Sequence, residues 1–297
     1  MKADLYVYAD SFVYNQKDTD IQVLEKLRKF KVLTQKVSNS ENVFLFNTKE
    51  FSSTQLLADG TLCGDFLLQN KKKNINRDIN NVFLNLLTSG IYHTTNFTGN
   101  EIDGLIGMHD KDSCSAKVVL EKSHIQNREK QIIGTYQDWL DFRRFFLGLY
   151  PCDVDFFYDE CAKYYPNLRF GERYKNETAF VLESHSEKIT YCLSVMNDYF
   201  MTEYKNATCS NIDFPNQFAV AYSIDGGSFE GTKHEKFKVY FEDIDKKLIC
   251  EPHLKFNTPD SSKSKRYNIN LYCRIYFSMP SNKNAETIYI GAIIKHL

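Results

Sequence analysis

The side chains whose types and spacing suit chemistry lie between residues 237 and 297. They are His253, Lys255, Arg274, Tyr276 and His296, which lie on or beside short apolar runs. RNA cleavage without a metal needs a base for the 2′-hydroxyl proton, cations for the charge on phosphorus, and an acid for the leaving 5′-oxygen. The set predicts a ribonuclease site of this kind. The alternative is that these are ordinary polar residues on a solvated strand face.

Each of these side chains has an expected catalytic role. His253 is expected to be the base or the acid, because an unperturbed imidazole titrates near physiological pH. Lys255 and Arg274 are expected to bind phosphate, and Tyr276 to stack on a base or assist proton transfer. His296 is the second acid or base if the end of the chain folds back. The prediction involves no metal ligand and no cofactor.

The sequence predicts that a sheet positions these groups. Strands are predicted at residues 236–241, 247–256, 271–277 and 287–294. In the third strand Arg274 and Tyr276 share one face, because successive side chains of a strand alternate. Pro252 predicts an edge strand or a bulge next to His253. The last two strands are separated by a Pro-Ser-Asn-Lys-Asn turn, which predicts an antiparallel hairpin.

Two short strings in this region carry a resemblance. CEPHLK (250–255) and RIYF (274–277), followed by an apolar strand with Gly291 and a closing His-Leu, resemble a C-terminal module of uncharacterised bacterial proteins. The strand order and basic residues are also similar to the small RelE/HigB-like ribonuclease toxins. The resemblance implies a short twisted sheet that carries Lys, Arg, His and Tyr in place of a metal, with RNA as the substrate.

The charge distribution favours a phosphate-binding module at this end of the chain. The net charge of the chain is −1, but residues 233–297 hold twelve Lys and Arg against seven Asp and Glu, a net of +5. The preceding 232 residues therefore carry −6. A basic module on an acidic body is typical of proteins that bind nucleic acid. No glycine-rich phosphate-binding motif is present, which argues against nucleotide hydrolysis of the P-loop kind.

A second set of polar side chains lies in the N-terminal part of the chain. Asp10 ends the first predicted strand, and Asp103, His109, Asp110 and Asp112 lie in a polar segment further on. Carboxylate oxygens are the ligands that Mg²⁺ prefers in proteins. These residues therefore predict a Mg²⁺-dependent nuclease as a further alternative. The simpler interpretation is that they cap turns.

The whole pattern predicts an α+β fold in two parts. Residues 1–135 form an N-terminal α/β region, and residues 136–297 form helices followed by the C-terminal antiparallel β module at 233–297. Helices are predicted from apolar periodicity at 20–30, 78–90, 136–150 and 155–164. Ser184-x-x-Glu187 predicts the start of a further helix, and residues 218–223 are predicted as a strand.

The remaining features suggest a cytoplasmic location. The eight cysteines show neither C-x-x-C pairs nor zinc-site spacing, which favours a reducing compartment. No signal-peptide pattern and no stretch of about 18 apolar residues is present, so no membrane span is expected.

Together these observations predict a bacterial ribonuclease or toxin-like effector of an antiviral-defence or toxin–antitoxin system, held in check by a protein partner. The alternative is a non-catalytic adaptor or sensor subunit of a multi-protein bacterial defence complex, whose many aromatic residues bind another protein.

Overall fold

The computed structural model describes residues 1–67, 77–87, 91–122, 129–229, 231–232, 234–260 and 272–295. It contains both helices and strands, so the prediction of a mixed α+β protein is confirmed. The chain divides into two compact units, Met1–Phe142 and Arg143–Leu297. The division falls inside a helix, whereas the sequence predicted it at residue 135.

The first unit is built on a parallel sheet of five strands in the order β3-β2-β1-β4-β5. The strands are β1 (Lys2–Val7), β2 (Asn42–Asn47), β3 (Tyr92–Thr95), β4 (Ser113–Val118) and β5 (Ile132–Ile133). The helices are α1 (Asp20–Val37), α2 (Thr48–Ser53), α3 (Cys63–Leu67), α4 (Arg77–Leu87), α5 (Gly99–Ile106) and α6 (Tyr136–Leu149), the last of which continues into the second unit.

Local sequence explains where the first long helix begins. Thr19 is the N-cap of α1, and its hydroxyl accepts from the backbone N–H of Gln22 while the Gln22 side chain accepts from the N–H of Thr19. This reciprocal pair satisfies two amides that a helix start leaves without acceptors. The predicted helix at 20–30 is present and extends to Val37.

The second unit contains a sheet in the order β6-β12-β11-β10-β7 and a separate hairpin of β8 and β9. Its strands are β6 (Leu168–Phe170), β7 (Gly226–Ser228), β8 (Lys238–Phe241), β9 (Lys246–Ile249), β10 (His253–Phe256), β11 (Cys273–Ser278) and β12 (Ile288–Ile294). Strands β7, β10, β11 and β12 pair antiparallel, and β6 joins β12 in parallel. The helices are α7 (Val154–Tyr164), α8 (Lys175–Asn206) and α9 (Phe214–Ala221).

One prediction about the strands of this unit is wrong, and a second is wrong in one of its two alternatives. Residues 218–223 were predicted as a strand, but most of them lie in α9, where Phe214 and Phe218 pack edge-on against Phe200 with ring centres 5.1 and 5.0 Å apart. Pro252 was predicted to mark an edge strand or a bulge, and the edge alternative is wrong because β10 lies between β11 and β7. Pro252 is tolerated because it precedes β10 and contributes only its carbonyl, which accepts from the N–H of Phe277.

The predicted helix start at Ser184 is also wrong, because α8 runs without a break from Lys175 to Asn206. A cap is nevertheless present there, supplied by a distant residue. The backbone N–H groups of Glu187 and Lys188 donate to the Asp260 carboxylate at 3.0 and 3.1 Å, and the Asp260 N–H donates to the Ser184 carbonyl at 2.8 Å. Asp260 thereby fastens the segment after β10 to the middle of α8.

Replacing Asp260 by alanine is expected to lower the free energy of unfolding by about 1–3 kcal/mol, because two amides lose a charged acceptor at a site only 2% exposed. Urea denaturation measures this loss. Asp155→Ala is the matched control, since the Asp155 side chain is 80% exposed and its ion pair with Lys175 contributes little. A loss for Asp260→Ala no larger than for Asp155→Ala would contradict the anchoring role.

Candidate functional site

Four of the five predicted catalytic residues lie on one face of the sheet in the second unit. In the register of β10 and β11, His253 is directly opposite Tyr276, and Lys255 is directly opposite Arg274. The members of each strand are two residues apart, so their side chains point to the same face. The structure therefore places an imidazole, a phenol and two cations in two adjacent cross-strand rows.

The flanking strands put small or apolar residues beside these rows. On β7, Ser228 is opposite His253 and Gly226 is opposite Lys255. A β-carbon at Gly226 would lie 2.7 Å from Cε of Lys255, so the Lys255 side chain passes over this glycine and would have to shift if a larger residue replaced it. The sequence predicted only a turn at this glycine pair. Its role beside Lys255 depends on which strand pairs with β7, which the spacing does not reveal.

A backbone contact orients the imidazole of His253. Nδ1 of His253 lies 3.2 Å from the carbonyl oxygen of Glu251. A carbonyl oxygen only accepts hydrogen bonds, so Nδ1 carries the proton and the lone pair of the neutral ring is on Nε2. The ring centre lies 4.8 Å from that of Tyr276, with the planes tilted by 42°. His253 is thus held in the tautomer that a base acting through Nε2 requires.

No carboxylate in the described part of the chain compensates the charge of Lys255 or Arg274. Among the described residues, neither Lys255 nor Arg274 forms an ion pair. Nε and Nη1 of Arg274 are buried and have no hydrogen-bond acceptor in the described part of the chain. Like charges directly opposite each other destabilise a sheet, and a buried donor without an acceptor costs further free energy. A phosphate oxygen that contacted the accessible part of the two side chains would neutralise the paired charge.

Tyr276 and His296 differ from the other three predicted residues. Tyr276 is only 1% exposed, because its ring packs against Phe237 in an apolar cluster that Tyr174 and Ile249 cover. A nucleic-acid base cannot stack on a ring that is buried in this way. Of the two roles predicted for Tyr276, assistance with proton transfer remains, through its contact with His253. His296 lies outside the described residues.

In the first unit, two of the predicted carboxylates gather around Tyr8, just beyond the carboxyl end of β1. Burial raises the pKa of Tyr8 to about 12, together with a hydrogen bond to Asp10 and the negative charges of Asp10, Asp103 and Glu50. Nζ of Lys117 lies 2.6 Å from the Asp103 carboxylate and 4.1 Å from the centre of the Tyr8 ring. An internal ammonium group therefore supplies positive charge in this cluster.

The predicted combination of Asp10 with Asp110 or Asp112 is wrong. Asp112 precedes β4, and its carbonyl accepts from the N–H of Lys2 at the amino end of β1. Because β1 and β4 are parallel, Asp110 and Asp112 lie at the amino ends of these strands, whereas Asp10 lies beyond their carboxyl ends. The rise per residue of a strand puts the two places about 20 Å apart. The Asp110 carboxylate instead accepts from the N–H groups of Asp112 and Ser113, as in a capped turn.

In the described ranges, no group of three or more His, Cys, Asp and Glu side chains is arranged to hold a metal ion. Across the same ranges, no helix combines the length and the hydrophobicity that crossing a membrane requires.

No family model matches the chain, and neither a curated protein nor a solved structure matches it. The resemblance to RelE/HigB-like toxins therefore stays a prediction, and the case for a function depends on the geometry of the site.

Proposed function

We propose that this protein is a metal-independent ribonuclease whose active site is the sheet face that carries His253, Lys255 and Arg274. The observation that carries the proposal is the pair of directly opposed cations, which have no acidic partner among the described residues and stand one row from an oriented imidazole. Proteins place uncompensated cations side by side where an anionic ligand neutralises them. RNA supplies that anion and, in its 2′-hydroxyl, the nucleophile.

The chemistry follows from the positions of these groups. Nε2 of His253 removes the proton from the 2′-hydroxyl, and the 2′-oxygen forms a bond to the adjacent phosphorus. Lys255 and Arg274 stabilise the charge that develops on the phosphoryl oxygens. The bond to the 5′-oxygen breaks, and that oxygen takes a proton from a second acid, the role that the sequence suggests for His296. The products are a 2′,3′-cyclic phosphate and a 5′-hydroxyl.

The proposal extends to the biological setting. A ribonuclease that needs no metal is active wherever RNA is present, so its host must restrain it. We therefore propose a bacterial toxin-like effector in a defence or toxin–antitoxin system, with a protein inhibitor that covers the basic face.

A second candidate function has its own supporting observation. Large side chains on α8 and α9 are exposed: Phe180, Tyr191, Tyr199 and Val220 have exposed fractions between 47% and 75%. Tyr199 also stacks on Tyr222, with ring centres 5.5 Å apart. Exposed aromatic residues are enriched in protein–protein interfaces. In this alternative the chain is an adaptor or sensor subunit that cleaves no RNA and co-purifies with a partner.

Chelation separates the proposed ribonuclease from a Mg²⁺-dependent nuclease. Cleavage of labelled single-stranded RNA is expected to proceed at the same rate with and without EDTA, and to be unchanged in Asp10→Ala. The reason is that the cations at the proposed site are Lys255 and Arg274. Cleavage that stops in EDTA and in Asp10→Ala would instead support a metal site around Asp10 and Asp103.

A further inference from the structure

An apolar hollow lies next to the proposed catalytic row. Its volume is about 340 Å³, at the lower end of the roughly 300–1,000 Å³ typical of ligand pockets. Most of the residues that line it are apolar, and Lys247 and Ser278 add a cation and a hydroxyl. The apolar lining residues that matter here are Phe229, Ile249, Pro252 and Met279.

The register of the sheet fixes where the hollow lies relative to the catalytic groups. Pro252 directly precedes His253, and Phe229 directly follows Ser228, which is opposite His253. Ser278 is two residues beyond Tyr276 on β11. The hollow is therefore beside the His253 row, on the side away from the cations. The Lys255–Arg274 row lies on the other side of His253, about 6.8 Å along the strands.

We propose that this hollow binds the nucleobase of a nucleotide next to the scissile phosphate, so that the substrate is unpaired RNA. The inference rests on the proposed ribonuclease function. A phosphate on the cation row and a ribose at His253 would direct the neighbouring base toward the hollow. A base has two apolar faces and a polar edge. Phe229 and Met279 would pack against the faces of the base, and Lys247 and Ser278 would form hydrogen bonds with its edge.

Duplex RNA does not fit this arrangement. Its bases are stacked and paired, so none of them can enter a hollow in a protein surface unless it leaves the helix. The proposed site therefore selects single strands, loops or ends. The preference for single strands over duplex RNA would come from the hollow. The cations would not distinguish the two, because a duplex also carries phosphates.

Binding of an oligonucleotide that cannot be cleaved tests this proposal separately from catalysis. A fluorescent single-stranded 2′-O-methyl RNA has no 2′-hydroxyl to attack, so anisotropy reports its Kd alone. Phe229→Ala is expected to raise that Kd about 5- to 100-fold, the usual effect of losing one base–aromatic stack. Phe97→Ala is the matched control, since Phe97 is a 42% exposed phenylalanine of the Met1–Phe142 unit that does not line the hollow. It is expected to leave the Kd unchanged.

Three further probes complete the experiment. Phe229→Leu keeps an apolar side chain but removes the ring, and it is expected to weaken binding almost as much as Phe229→Ala. This variant tests the loss of the ring even if the alanine variant does not fold. The second probe is an abasic strand of the same length, and the third is the same sequence as a duplex. Each is expected to bind the wild-type protein no more tightly than the single strand binds the Phe229→Ala variant. Equal Kd values for wild type and both Phe229 variants would overturn the proposal, as would duplex binding as tight as single-strand binding.

The result does not depend on whether the protein cleaves RNA. Cleavage in EDTA without any effect of Phe229 on binding would leave the ribonuclease proposal intact and overturn the base-binding hollow. Binding that depends on Phe229 without cleavage would overturn the ribonuclease proposal and leave a protein that binds unpaired nucleic acid.

Discussion

Replacing His253 by alanine is expected to lower the rate of RNA cleavage in EDTA by about 10²- to 10⁴-fold, the usual contribution of a positioned general base. The contact between Nδ1 and the Glu251 carbonyl holds the wild-type ring with its lone pair on Nε2, and alanine has no group to replace it. Single-turnover cleavage of labelled RNA, with enzyme in excess, measures the chemical step without the effects of product release.

The control for this variant is His93→Ala. His93 is an exposed histidine on β3 of the Met1–Phe142 unit, so its loss removes an imidazole from outside the unit that carries the proposed site. Its cleavage rate is expected to equal that of wild type. A His253→Ala protein that is folded and cleaves as fast as His93→Ala would show that the imidazole on β10 is not the base.

Replacing Arg274 by leucine is expected to separate activity from stability. Cleavage should fall about 10²- to 10³-fold, because a positioned donor to the phosphoryl oxygens is lost. The free energy of unfolding should stay level or rise by about 0.2–1 kcal/mol, because the change removes a like-charge pair with Lys255. It also removes two buried nitrogen donors, Nε and Nη1, that have no acceptor among the described residues. Urea denaturation and single-turnover cleavage measure the two effects.

Arg144→Leu is the matched comparison, since Arg144 is a buried arginine of the same unit. Its guanidinium donates to both oxygens of the Asp198 carboxylate at 2.7 and 3.2 Å and to the Tyr164 carbonyl at 2.9 Å. Removing one partner of a buried ion pair costs about 3–5 kcal/mol. If Arg274→Leu destabilised the protein as much as Arg144→Leu, Arg274 would be a structural residue and the proposed phosphate site would lose its main support.

The sequence predicts the strands of the site, but not how they pair. Alternation puts Arg274 and Tyr276 on one face of β11, and the structure agrees. Whether Lys255 meets Arg274 depends on the register of β10 against β11, which side-chain alternation within one strand does not determine. The role of Gly226 cannot be predicted for the same reason. Its contact with Lys255 arises from the pairing of β7 with β10, which the sequence does not determine.

Errors elsewhere have related causes. Asp10 and Asp112 are both polar residues at strand ends, but the direction of the parallel strands places them at opposite edges of the sheet. The helix-start pattern at Ser184 is a local pattern, whereas the cap at that point comes from Asp260, distant in sequence. Local patterns identify elements well, and they fail where a contact between distant parts of the chain decides the outcome.

The measurement that tests the central claim most directly is the identity of the RNA ends that the wild-type protein produces in EDTA. If His253 removes the 2′-hydroxyl proton while Lys255 and Arg274 hold the phosphate, every 5′ fragment ends in a 2′,3′-cyclic phosphate and every 3′ fragment begins with a 5′-hydroxyl. Mass spectrometry of the fragments distinguishes these ends. Fragments that end in a 3′-hydroxyl, or RNA that stays intact in EDTA, would contradict metal-free cleavage at this sheet face.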